Sequence, residues 1–373
     1  MPQHDNPQRK PHDVNVYIEA HERLRYVPGV VVTVTIKDVA RAAGVSVASV
    51  SRALNGHESV TETTRKRIVE VADELHYVPH AGARSLITRR TQTIGVLLPD
   101  LYGEFFSELI RGMDAAARAH GLHLLISSSH GSAAEAALAL RMLQGRVDGL
   151  LVMAPHTDAG MIAANLPQTL PIVLMNTRIA DGHHAALMLD NRGGATAMME
   201  HLVRAGHRRI AFISGPAANF DAEERLRGYR DALARLLPGE KESVYAGDFS
   251  EESGYRVGLR ICAQAERPQA LFAANDMMAL GCLFALTEHG LGVPDDIALA
   301  GFDDIPIARF VTPPLTTVRV RIDDLGHRAM ERLASLIDDN DSANGTTEQL
   351  SCELVVRQSC GARPARPHPP TRT

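Results

Sequence analysis

The sequence predicts a small all-α head followed by a large α/β core built from two doubly wound parallel-sheet lobes. Three short helical patterns fill Ile36 to Tyr77. Beyond a basic connector, short apolar runs alternate with amphipathic helical stretches, the signature of buried parallel strands with helices on both faces. That alternation comes as two successive series, hence two lobes. A chain of 373 residues with 45% hydrophobic content suits two or three domains at roughly 100 to 200 residues each.

Residues 1–34 show no sustained periodicity beyond the short apolar patch Val30–Val34. They are read either as a disordered extension or as residues upstream of the true start. The opening MPQHDNPQRKPHD is polar and proline-bearing, unlike a secretory signal. The first helical patterns are Lys37 to Ala43, Ser46 to Leu54 and Glu62 to His76, divided by turn signals at Gly44 and at Asn55-Gly56. In the third, Ile68, Val71, Ala72 and Leu75 recur at helical spacing and give one buried face. Thr61 is its expected N-cap, with Glu62 at the positive helix end, and Pro79 closes the unit.

After the connector HAGARSLITRRTQ, the first series of strands is IGVLL (94–98), LHLLIS (122–127), GLLVM (149–153) and IVLMN (172–176). The second is RIAFIS (209–214), SVYAG (243–247), ALFAA (270–274) and IALAGF (297–302). The closing ARPARPHPPTRT is proline-rich without an apolar repeat, a flexible tail. The expected organisation is therefore 1–34 extension, 35–79 head, 80–91 linker, 92–361 two-lobed core and 362–373 tail.

Charge is divided unequally along the chain. From Thr35 to Gln92 there are nine bases against six acids, a surplus of +3, and residues 1–34 are balanced. With a total of −5, everything after Gln92 carries −8. A small basic unit thus precedes a large acidic one. The four cysteines, Cys262, Cys282, Cys352 and Cys360, form no CxxC pair, so neither a zinc site nor a disulfide framework is expected and a reducing compartment is the default. No apolar run approaches the roughly 18 to 20 residues of a membrane helix.

Enzymatic signatures are missing: no GxSxG elbow, GxxxxGK[ST] loop, GxGxxG after a strand, or HExxH. His183-His184 and the pair His120 and His123 lack companions at ligand spacing and read as surface histidines. No cofactor or metal is expected.

Ala40, Gly44 and Val50 fall four and then six residues apart. A helix-turn-helix needs a small residue where the second helix crosses the first, a residue tolerant of positive φ in the turn, and an apolar anchor from the second helix. Those three residues supply the parts. Ser46, Val47, Ala48, Ser49 and Arg52 are left on the start and outer face of the second helix, the face that enters a major groove, with Thr35 and Asn55 flanking. Arg52 can donate two hydrogen bonds to a guanine edge, worth roughly 1–3 kcal/mol of discrimination. Val47 and Ala48 offer only apolar contact or steric fit.

In the core, two α/β lobes bind ligands where the carboxyl ends of their strands converge. The polar residues ending strands are Asp100, Asn176, Asn275-Asp276 and Asp303-Asp304. Each is either a ligand contact or a helix cap.

The stretch TIKDVARAAGVSVASVSRALNG, with HYVPHAGARSL and TIGVLLPDL, resembles the lactose repressor family of bacterial transcription factors. The likeness continues through DNRGG (190–194), GHRRIAFISGP (206–216), RLRGY (225–229), ANDMMALG (274–281), GFDDIP (301–306) and PPLTTV (313–318), from Thr35 to about Gly361. The resemblance implies a DNA-binding head, a hinge helix and a core like that of periplasmic sugar-binding proteins. It implies a repressor acting as a homodimer on palindromic operator DNA, in the cytoplasm and at the nucleoid when bound, with no membrane partner. Its effector is a small molecule, a carbohydrate first and a purine or other metabolite as the alternative.

By the same resemblance, Leu86 matches the hinge leucine that wedges into the minor groove. Gly82 departs from the apolar or alanine residue usual in the hinge, and glycine costs about 1 kcal/mol in a helix interior. Asn275 and Asp303 match positions that hold ligand hydroxyls, Arg225 an arginine reaching into the cleft, and Asn176 a further polar contact. Phe105 and Phe106 match residues lining the cleft from the first lobe, and Phe249 an aromatic that stacks on a ring. Met153 stands where some sugar-responsive relatives place a polar residue. A scavenging solute-binding protein would need an export signal and no DNA head, the reverse of this chain. No carboxy-terminal leucine heptad follows the core, so a dimer rather than a tetramer is expected.

Overall fold

A computed structural model describes residues 34–55, 59–77, 90–157, 159–167, 169–177, 184–339 and 345–361. The chain divides between Arg89 and Arg90 into two compact units. Leu86 and Gly82 lie outside the described residues, as do 1–33 and 362–373.

The first unit packs helices α1 (Ile36–Ala42), α2 (Val47–Leu54) and α3 (Glu62–Glu74) around Val39, Ala40, Val50, Ala53, Ile68 and Ala72. Gly44 takes φ +63 in the turn between α1 and α2, the conformation that a Cβ disfavours. Val50 is fully buried beneath it and Ala40 nearly so. Ser46 caps α2, its hydroxyl accepting from the Ser49 amide at 3.1 Å. The third helix ends at Glu74, two residues short of the expected His76, because His76 turns to φ +49. Arg65 of α3 donates to the Ala53 carbonyl at 2.9 Å, tying α3 to the end of α2.

The second unit holds two six-stranded sheets. In the first lobe, β1 (Thr93–Leu98), β2 (His123–Ser128), β3 (Gly149–Val152), β4 (Ile172–Met175) and β5 (Ala185–Leu189) alternate with α4 (Glu104–Ala119), α5 (Ala133–Leu143) and α6 (Ala159–Asn165). The chain then enters the second lobe through α7 (Asn191–Arg204). There β6 (Ile210–Ser214), α8 (Phe220–Leu236), β7 (Val244–Ala246), α9 (Glu251–Cys262), β8 (Ala270–Ala273), α10 (Asp276–Glu288), β9 (Ala298–Asp303) and β10 (Thr316–Arg319) follow. Finally α11 (Ile322–Asp339) and β11 (Thr347–Leu350) return to the first lobe, and β12 (Glu353–Val355) goes back to the second.

Strand order is 2-1-3-4-5-11 in one sheet and 7-6-8-9-10-12 in the other. The two lobes therefore repeat one topology, and the order reverses beside β1 and beside β6. Every pairing among these strands is parallel except β10 with β12, a departure from the all-parallel expectation at one edge. The lobes are also not two consecutive blocks: the chain crosses between them three times. The return of α11 onto α4 depends on close approach, since a Cβ on Gly112 would lie 1.9 Å from the Asp323 carbonyl oxygen and one on Gly326 would lie 2.2 Å from that of Leu109.

The sheets are the apolar runs of the sequence, buried on both faces: β3, β4, β8 and β9 are buried throughout. Strands β5, β10, β11 and β12 were not expected. Among the described residues, no helix is long and apolar enough to cross a membrane.

Candidate functional site

In the first unit, the outer face of α2 is open. Ser46, Val47, Ala48 and Arg52 are exposed and Ser49 half-buried, while Val50 and Ala53 point into the core. Val47 keeps 40% of its surface accessible, a β-branched apolar side chain that the unit's own core does not cover. The Ser46 and Ser49 hydroxyls lie 2.9 Å apart, so the helix start is braced by its own side chains. Thr35 begins α1, its amide and hydroxyl both donating to Asp38 at 3.0 and 2.7 Å. Asn55 turns inward instead, its amide donating to the Ser51 carbonyl at 2.8 Å as a C-cap. Arg52 thus stands as the long cationic side chain of the exposed face, with Ser46 and Ser49 beside the positive helix end.

In the second unit, a cleft of about 390 Å³ opens between the lobes, at the carboxyl ends of both sheets where their strand order reverses. Phe105, Phe106 and Met153 line it from the first lobe, and Arg225, Phe249, Asn275 and Asp303 from the second. Asp100 joins them. Asn176 does not: it is fully buried behind the wall, its side-chain oxygen accepting from the Leu189 amide at 2.9 Å. Among the described residues its amide nitrogen has no hydrogen-bond partner, although it lies close enough to Asp221 to favour that carboxylate. Asp276 and Asp304 also turn away. Asp276 accepts from the Ile305 amide and the Thr317 hydroxyl beneath β9, and Asp304 pairs with Arg319 and Arg357.

Arg225 organises the floor. Its side chain is 4% exposed, and its Nη1 sits 3.0 Å from Asp303 Oδ1 and donates to the Ala274 carbonyl at 2.6 Å. Its Nε donates to Asn191 Oδ1 at 2.8 Å, and Asn191 in turn donates to Asp221 at 2.7 Å. The guanidinium lies 3.9 Å from the centroid of the Phe302 ring. One cation therefore stands between two buried carboxyls. Burial pushes both Asp221 and Asp303 up to about 6, with Arg225 opposing the rise in each. Asp276, buried below, is likewise raised well above the ordinary carboxylate value, by burial and then by Asp303.

The backbone here is held in strained conformations. His130, Phe249 and Asp303 on the wall, and Asn176 and Asp304 behind it, all have positive φ without being glycine. Such residues cost of order 1–3 kcal/mol each and collect at binding sites. Phe249 is fixed from two sides. Its carbonyl accepts from Asn275 Nδ2 at 2.9 Å, and its ring lies over Gly215, where a Cβ would be 2.5 Å away.

Both lobes meet at the cleft rim. Tyr102 donates to Glu251 at 3.3 Å, the Ile307 amide to Glu104 at 2.9 Å, and the Phe220 amide to the Pro155 carbonyl at 3.0 Å. Asn219 Nδ2 donates to His156 Nε2 at 3.1 Å, which requires the neutral imidazole that burial favours by lowering the His156 pKa. The sequence reading missed Asp221, Asn219, Asp248, Tyr102, His130 and His156. Asp221 and Asn219 do occupy a cap-like position after β6, the signal that was applied to other strand ends but not there. Among the described residues no His, Cys, Asp and Glu group is arranged to hold a metal ion.

Comparison with known proteins places both units. Residues 35–80 match the model for bacterial regulatory proteins of the lacI family, and residues 199–360 the periplasmic binding protein-like domain. The chain is 32% identical over 329 residues to catabolite control protein A of Priestia megaterium, covering 87% of this chain and 99% of that protein. It is 37% identical over 305 residues to the ribose operon repressor of Escherichia coli strain K12, covering 80% and 92%. The lac repressor dimer bound to operator and the anti-inducer ONPF superposes with a TM-score of 0.78 at 29% identity, over 88% of this chain and all of that one. With a basic helix-turn-helix unit, a two-lobed core and relatives matched along nearly their whole length, the chain belongs to the lacI family of bacterial transcriptional regulators.

Proposed function

We propose that this regulator binds palindromic operator DNA as a homodimer in the cytoplasm, at the nucleoid, and that a neutral polyhydroxylated effector in the interlobe cleft sets its operator affinity. The observation that carries the effector class is the charge of the cleft wall: Asp100, Asp221, Asp248 and Asp303 against Arg225 alone. Asp221 and Asp303 are buried and Asp100 and Asp248 exposed at the mouth; carboxylates accept hydrogen bonds from sugar hydroxyls and repel phosphate. Phe249, its ring packed against Gly215, offers the apolar surface on which a sugar ring stacks. Asn275 and Asp303 take the hydroxyls, with Phe105, Phe106 and Met153 closing the apolar side. Asn176 acts from behind, through Asp221.

On the DNA side, Ser46, Val47, Ala48, Ser49 and Arg52 read the major groove. Thr35 contacts its edge, Asn55 holds the end of α2 from the inner side, and Leu86 of the 80–91 hinge reaches the minor groove. The head is assigned to 35–79 and the effector core to 92–361. Lobe closure on the effector shifts the two hinges, coupling the sites by about 1–3 kcal/mol.

Calorimetric titration with paired sugars tests the effector class. A free pentose or hexose is expected to bind saturably, and a saturating amount of its phosphate ester is expected to leave that binding unchanged. Displacement of the free sugar by the ester would refute the assignment.

A further inference from the structure

A second cavity, of about 300 Å³, lies where the chain passes from β10 into α11. It shares no lining residue with the interlobe cleft. Its charge is nearly balanced and leans positive, where that of the cleft is negative. Arg309, Arg319, Arg321 and Arg357 face Glu108, Asp304 and Asp323.

The three carboxylates are already committed. Asp304 pairs with Arg319 at 2.7 Å and with Arg357 at 2.5 Å. Glu108 pairs with Arg111, which also lies 3.6 Å from Asp323 and stands outside the cavity lining. Arg309 and Arg321 have no carboxylate partner among the described residues; Arg309 lies only over the neighbouring Phe310 ring, 4.8 Å from its centroid. Behind them Ile305, Val320 and Ile322 are buried and apolar, so a bound ion would be partly withdrawn from water.

We propose that this cavity binds a small phosphate-type dianion through Arg309 and Arg321. Planar guanidinium forks match phosphate oxygens in paired, charge-assisted hydrogen bonds, and two unpaired cations balance a dianion. The place gives the ion a consequence. Arg309 stands on the 3-10 turn Pro306–Arg309 of the second lobe, and Arg321 on the link into α11 of the first. Beside them the Ile307 amide already donates to Glu104 across the lobes. A dianion held by both arginines adds a second tie at that point and favours the closed arrangement. The phosphate-repelling cleft and this site therefore respond to different molecules.

Calorimetry on the full-length protein, without DNA or sugar, tests the site separately from the effector assignment. The probes are inorganic phosphate and glycerol 3-phosphate, each in buffer matched in ionic strength with chloride. Saturable binding is expected, weakened about tenfold by R309Q or R321Q, the loss of one charge-assisted donor. Preference for glycerol 3-phosphate would identify a phosphate monoester as the ligand, and equal affinity would identify free phosphate; either supports the site. The double variant R309Q/R321Q should abolish binding while retaining the native circular dichroism spectrum, and the single variants decide the matter if it does not fold. No saturable heat with either probe, or affinity unchanged in both single variants, would overturn the proposal.

Discussion

Arg225 is surrounded by groups that depend on its charge. Removing it leaves Asp303 buried without its ion-pair partner and takes from Asn191, which donates to Asp221, the donor that holds its own oxygen. Loss of one partner of a buried pair costs about 3–5 kcal/mol, so Arg225→Ala should show a large fall in denaturation midpoint together with loss of effector binding. The two carboxyls also predict a pH dependence. Both folded values, about 6, exceed the ordinary 3.8. The folded protein therefore holds protons that the unfolded chain has released, and this contribution to stability is full below about pH 4 and lost as pH rises through 6. Effector binding runs the other way if hydroxyls donate to ionised carboxylates: affinity should rise between pH 5 and 7. A flat affinity profile by calorimetry across that range would remove these carboxyls from the contact. On the head, Arg52→Ala should relax base preference at one operator position by about 1–3 kcal/mol.

Part of the cleft was legible at this scale because polar residues close apolar strands there, as Asn275 does just past β8 and Asp303 at the end of β9, whereas Phe105, Phe106, Met153, Arg225 and Phe249 were reached only through the family resemblance. Asn176 shows where that logic stops. It ends β4 as expected, but its side chain is fully buried and turned to the neighbouring strand, its oxygen accepting from the Leu189 amide. Asp248 and His156 sit in loops after short strands, where periodicity carries no information about which way a side chain turns.

Single elements carry the second group of expectations. The cap of α2 is one hydroxyl, Ser46 accepting from Ser49. Ser46→Ala should destabilise the head by about 1 kcal/mol, read as a lower melting point of its own transition with the core unmoved. In the hinge, Gly82→Ala should favour helix formation by about 1 kcal/mol and tighten operator binding about fivefold; unchanged affinity in a gel-shift titration would show that the hinge is not limited by glycine. The helices of the head were readable from Ala40, Gly44 and Val50, because a turn and two contacts define that motif locally. Strands β10, β11 and β12 were not. They are three or four residues long and polar in part, TTVR, TEQL and ELV, and exist only because a neighbouring strand offers an edge.

For the molecule as a whole, three chain crossings join the lobes, so closure is a bend in three strands of backbone rather than a rotation about one. Such crossings cannot be read from a sequence, since nothing local marks that α11 leaves its neighbour β10 to pack on α4; the glycine pair Gly112 and Gly326 makes the approach possible but resembles any other helical glycine. Light scattering should report a dimer, as one head reads too few base pairs for specific affinity on its own.

An operator-reading head coupled to an effector cleft is a ligand-controlled switch. Its most direct measurement is fluorescence anisotropy on DNA from the region upstream of the protein's own gene, at one fixed salt concentration, against a scrambled duplex and with free sugars added, because phosphate contacts make any affinity salt-dependent. The expected result is selective binding with a dissociation constant of about 10⁻⁸ to 10⁻¹¹ M, shifted by one neutral sugar and reduced in selectivity in Arg52→Ala. Equal binding to the operator region and the scrambled duplex, unmoved by every sugar, would contradict it.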